Sequence, residues 1–149
     1  METISRINLI RSPSTICAFE GKSADLKKTL LNVEAISFFE IDCLQCNTEQ
    51  NLFSTFSTEL GFPEYFGRNW DALHECIGDL DWLDAKYIIL FLKNSNKLLI
   101  DQPDKIKTFA EITSDIIKEQ AREFNEPEIS IVLDNNSQQN TLLSEIEKK

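Results

Sequence analysis

Residues 86–92 read Lys-Tyr-Ile-Ile-Leu-Phe-Leu. A near-continuous apolar run of this length has no polar face to give to water. It therefore reads as a strand covered on both sides, as in the middle of a parallel sheet. Parallel neighbours need crossover connections, so helices are expected on either side of it in the chain. Tyr87 to Leu92 is also the longest apolar stretch of the sequence, far too short to cross a bilayer as a helix.

Working outward, Ala35–Leu44 (AISFFEIDCL) and Glu128–Leu133 (EISIVL) read as further strands, and Thr15–Glu20 (TICAFE) as a short first one. Between them lie helical periods. In Ser23–Asn32 (SADLKKTLLN) the residues Leu26, Leu30 and Leu31 share a face, with Ser23 as N-cap. Thr48 caps a helix whose Leu52, Phe53, Phe56 and Leu60 line one side, ended by Gly61-Phe62-Pro63. Asn69 caps the next, running to about Ile77 or Leu80. Pro103–Phe124 is a long amphipathic helix with Ile106, Phe109, Ile112, Ile116 and Ile117 at helical spacing. The order β-α-β-α-α-β-α-β predicts an α/β fold, a small, mostly parallel sheet of about four strands covered by helices. The polar tail from Asp134 is expected to fray, with at most one helical turn.

The 149 residues are 42% apolar, with ten Phe and two Trp, and carry 25 acids against 15 bases, a net charge of −10. A chain of this length buries about two-thirds of its unfolded surface, enough for one core. So acidic a chain lacks the basic face that nucleic acid or an anionic membrane would require, so neither is expected as a direct partner. The N-terminal METISRINLIRSPS lacks the pattern of a secretory signal, so the chain is expected in the cytoplasm. Cys17, Cys43, Cys46 and Cys76 suit that compartment as buried, reduced thiols. Cys43-Leu-Gln-Cys46 is the one close pair, but it ends a strand rather than opening a helix, where a redox pair gains its low pKa. A zinc site would draw on Cys17, Cys76 and the single His74 for further ligands, at spacings that match no familiar site.

The charge is concentrated. From Glu59 to Asp84 there are seven acids and one base, Arg68, so 26 residues hold −6 of the net −10. On the Asn69 helix, Asp71 and Glu75 are four apart, with Asp79 in line if the helix persists, a spacing that costs a helix about 0.2–0.5 kcal/mol per like pair. Most charge runs are simply solvated faces. Here the acids have aromatic company: Tyr65, Phe66, Trp70 and Trp82. Trp70, Leu73 and Ile77 fit a buried face, Tyr65 is better placed outside, and Gly67 loosens the loop leading in. Carboxylates and an exposed aromatic on such a loop suit an interface for a basic protein. Catalysis fits poorly. Carboxylates at i and i+4 of one helix aim at the same spot instead of flanking a bond, and His74 has no nucleophile, phosphate loop or metal-ligand spacing beside it. Asp71, Glu75 and Asp79 lack the loop geometry of a calcium site. No catalytic residue, metal ligand or cofactor is assigned.

Gly61–Ile77, GFPEYFGRNWDALHECI, resembles the signature of the barstar family, intracellular inhibitors of secreted ribonucleases. Pro63, Glu64, Tyr65, Gly67, Asn69, Asp71, Ala72 and Leu73 match a Pro-Glu-Tyr-Tyr/Phe-Gly-x-Asn-x-Asp-Ala-Leu pattern, and Cys76 falls on a family cysteine. The resemblance spans residues 37–133, with 1–36 as an added N-terminal β-α unit, so that 1–133 form one barstar-like domain and 134–149 a polar tail. It implies that loop and helix plug a nuclease active site. Tyr65, Gly67, Asn69, Asp71 and Glu75 then face the partner, with Glu119 a second acid from the long helix. His74 stands where the family has an interface tryptophan, and Gly78, Asp79 and Leu80 replace Thr-Gly-Trp, so partner choice is expected to differ. The implied partner is a basic secreted ribonuclease or nuclease toxin domain. The alternatives are a regulatory α/β module with a non-nuclease partner, or a small-ligand or catalytic α/β domain using a cleft at the carboxyl ends of its strands. Oligomeric state is not encoded in any feature of the sequence.

Overall fold

The computed structural model describes residues 16–30, 36–123, 127–134 and 140–148. Four strands, β1 (Ile16–Phe19), β2 (Ile36–Asp42), β3 (Tyr87–Lys93) and β4 (Glu128–Asp134), form one parallel sheet in the order β1-β4-β3-β2. Helix α1 (Ser23–Leu30) joins β1 to β2. Helices α2 (Glu49–Leu60) and α3 (Trp70–Asp79) lie between β2 and β3, α4 (Ile106–Glu123) precedes β4, and α5 (Thr141–Glu147) follows it.

β3 is the strand that the 86–92 run announces. It pairs β2 on one side, from Tyr87 with Ile36 to Lys93 with Asp42, and β4 on the other, from Tyr87 with Glu128 to Leu92 with Leu133. Residues 88–92 are all buried, and their alternation feeds two cores. Ile88, Leu90 and Leu92 point into the larger one, with Phe53, Phe56, Leu73, Ile77, Phe109 and Ile116 from α2, α3 and α4. Ile89 and Phe91 point the opposite way, with Cys17, Phe19 and Val132, and are covered by Leu26 and Leu30 of α1. Thus α1 covers one face of the sheet and the other helices cover the second.

Several expectations are refined. Ser23 does not cap α1: it is the first helical residue, and its hydroxyl donates to Glu40 on β2 at 3.0 Å. The long helix opens as a 3-10 turn at Pro103–Lys105, because proline fits a first turn where its missing N–H is not needed, and becomes α-helical at Ile106. The tail does not simply fray. Asn140 caps α5 by accepting from Leu143 N at 3.0 Å, and Leu142 and Ile146, four residues apart, are buried in the larger core. Thr15, Leu31, Asn32, Ala35 and Phe124, expected in strands or helices from their spacing, lie outside the described residues.

Candidate functional site

The elements that carry the acidic stretch are pinned from beneath. Thr48 opens α2 by accepting from Asn51 N at 3.2 Å, and Leu52, Phe53, Phe56 and Leu60 all point into the core. Gly61 ends α2 at φ +64, a left-handed turn that glycine makes without strain. Phe62 then packs edge-on against Phe66, at 4.9 Å between ring centres, and against Trp82 at 6.1 Å. Phe66 N donates back to Pro63 O at 3.0 Å, so the chain turns between the two anchored rings. Tyr65 sits on that turn and is 80% exposed.

The far half of the loop is fastened to α2. Arg68 adopts φ +50, unusual for a residue with a Cβ, and its guanidinium Nη1 donates to Ser54 Oγ at 2.7 Å. The loop that Gly67 was expected to loosen is therefore braced, and the left-handed backbone falls on Arg68 rather than on Gly67. Space at Gly67 is tight: a Cβ there would lie 3.2 Å from Asn69 Nδ2, so the capping side chain would have to shift slightly. Asn69 caps α3 with Oδ1 accepting from Ala72 N at 2.8 Å, while its Nδ2 donates to Gly67 O at 3.3 Å. Trp70 is half-buried, its ring edge-on to Phe53 and its indole N–H donating to Glu49 Oε2 at 3.0 Å.

Along α3, Leu73, Cys76 and Ile77 are buried and Leu80 closes the helix in a left-handed conformation, φ +42. Asp71, Glu75, Gly78 and Asp79 are consequently exposed on the other side, and the helix does persist to Asp79. Asp71, Glu75 and Asp79 have no salt-bridge partner among the described residues. The Asp79 carboxyl is raised from its ordinary value by desolvation, then by the charges of Asp81 and Glu75. His74 lies between these acids, and its Nε2 is 3.1 Å from Glu119 Oε2 on α4. Glu119 is thus placed on this surface despite standing 45 residues along the chain. The Arg68 tie to Ser54 and the Trp70 tie to Glu49 were not foreseen, since nothing in local spacing marks them.

The chemistry of the surface is electrostatic. Among the described residues no group of three His, Cys, Asp or Glu is arranged to hold a metal. The thiols are buried and free. Burial pushes Cys17 and Cys46 up to about 12 and Cys43 well above its ordinary value, and Cys76 is raised by burial and then by Glu75 and Asp79. The Cys43–Cys46 pair sits in a 3-10 turn after β2, so neither thiol gains the stabilisation of a helix N-terminus.

Residues 36–134 match the family model described as Barstar (barnase inhibitor). The chain belongs to the barstar family. Loop 61–69 and α3 lie wholly within the matched region, whereas β1 and α1 precede it. No curated protein matches the chain. Among solved structures, the ADP form of the Aeropyrum pernix ORC2 protein superposes with a TM-score of 0.54 at 12% identity, over 97% of this chain and 41% of that one. The same protein in ADPNP–ADP complexes gives 0.53 at 10% identity, over 97% and 41%. At that identity the likeness is one of fold, and this barstar-family chain spans well under half the length of those structures. No helix among its described residues is long and apolar enough to cross a membrane.

Proposed function

We propose that this protein is a cytoplasmic, non-enzymatic inhibitor, an immunity or antitoxin-like protein, that blocks the active site of a basic secreted ribonuclease or nuclease toxin domain. Family membership supports an inhibitor's fold; the observation that carries the reading further is the unpaired acidic face. Asp71 and Glu75 project from a rigid helix with no counter-charge of their own, so their charge is available to arginines and lysines that otherwise hold RNA phosphates. Tyr65, exposed beside the buried Phe62 and the half-buried Phe66, packs on the rim of the partner's site. Gly67 and Asn69 hold the approach to α3, Gly78 leaves room for partner atoms, His74 stands in for a family tryptophan, and Glu119, 3.1 Å from it, adds a second acid from α4.

The test is capture of the partner from the producing cells with the purified protein, followed by an RNA-cleavage assay. Wild type is expected to abolish cleavage at equimolar ratio. Asp71→Ala with Glu75→Ala is expected to weaken binding by more than about 2 kcal/mol, the range of interface hot spots, while leaving the thermal transition of the free protein no lower. A captured partner without nuclease activity, or full inhibition by the double variant, would overturn the reading.

A further inference from the structure

On the side of the sheet away from the acidic surface, a cavity of about 350 Å³ opens at the carboxyl ends of the strands. Gly21, Lys22 and Ser23 from the β1–α1 turn, Phe91, Lys93 and Asn94 from the end of β3, and Asp134 from the end of β4 line it. Its position follows from topology. Beyond β1 the chain turns to α1 on one face, while beyond its neighbour β4 it leads to α5 on the other, so the two connections diverge and leave a crevice. In open parallel sheets such a divergence is where ligands bind. The volume lies at the lower end of small-molecule pockets, about 300–1,000 Å³.

The polar lining selects the ligand. Lys22 has no ion-pair partner among the described residues, and Lys93 lies only at 3.9 Å from Glu40. Lys22 and Lys93, from separate elements, thus both line one cavity in a chain whose net charge is −10. The acids nearby are already engaged. Asp134 accepts from Asn94 N at 2.6 Å, Ser95 N at 2.9 Å and Ser95 Oγ at 2.8 Å, and Glu40 accepts from Ser23 Oγ. Gly21 makes the turn possible at φ +136, where any Cβ would also come within 3.1 Å of the Phe19 ring. Phe91 supplies an apolar wall beside the charges.

We propose that this cavity binds the phosphate group of a phosphorylated small molecule between Lys22 and Lys93, independently of the nuclease-binding surface. The test is a 15N-resolved NMR titration of the full chain with inorganic phosphate, ribose 5-phosphate and ribose. The expected result is saturable shifts at Gly21–Ala24 and Lys93–Asn94 with both phosphates, at lower concentration for ribose 5-phosphate, none with ribose, and none at Asp71 or Glu75. Lys22→Gln with Lys93→Gln is expected to raise the half-saturating concentration at least tenfold with an otherwise unchanged spectrum. Absence of saturable shifts, equal shifts in the double variant, or binding of inorganic phosphate but not ribose 5-phosphate would overturn it.

Discussion

Asp79 shows how a single side chain is placed at odds with its own fold. Its carboxyl is shifted upward, so the folded protein holds that proton more tightly than the unfolded chain. The charged form therefore works against folding: the penalty is absent well below the ordinary aspartate value of 3.8 and complete once pH exceeds the raised folded value. Asp79→Asn is expected to raise the Tm at neutral pH and leave it unchanged near about pH 3, a small gain because the site is exposed and screened. The same substitution removes a negative charge from the proposed partner surface, so calorimetry of the free protein and affinity for the partner should move in opposite directions. The cysteines make a second residue-scale case. With Cys17 and Cys46 raised to about 12 and Cys43 above its ordinary value, thiolate is scarce at neutral pH. A colorimetric thiol reagent is expected to label none of these three until denaturant is added.

At the scale of elements, periodicity carries furthest where it is long. The faces of α2 and α4 and the double-sided burial of β3 follow from spacing alone, because four or more residues repeat the pattern. α5 rests on Leu142 and Ile146 only, too few repeats to stand out from a polar tail, although burial of those two decides its place. Leu142→Ala is accordingly expected to cost about 2–3 kcal/mol, a Tm fall on the order of 5–10 °C, measured by thermal denaturation. A wild-type Tm in that variant would mean that α5 does not dock. The acidic loop was legible as acid and aromatic, and Asn69 as a cap, since these are local signals. The meeting of His74 with Glu119, and the fastening of Arg68 to Ser54, depend on how α4 and α2 pack against the loop and α3, which local spacing does not encode.

At the scale of the whole molecule, charge separates by face. The 26 residues holding −6 are gathered on the end of α2, loop 61–69, α3 and the turn beyond, while the lysine-lined cavity opens behind the sheet. Such a field steers a basic partner before contact. Association with the proposed nuclease partner, followed by stopped flow, is expected to slow about tenfold or more between low and physiological ionic strength, with the dissociation rate changing far less. A rate indifferent to salt would refute steering. The two tryptophans bracket this region from within: Trp70 is tied to Glu49 at the start of α3, and Trp82 donates to Leu60 O at 3.0 Å where the loop begins. The molecule thus carries its own optical gauge of docking. Emission from Trp70, next to Asp71, changes when a partner covers α3, and a Trp82→Phe variant isolates that signal without any attached dye.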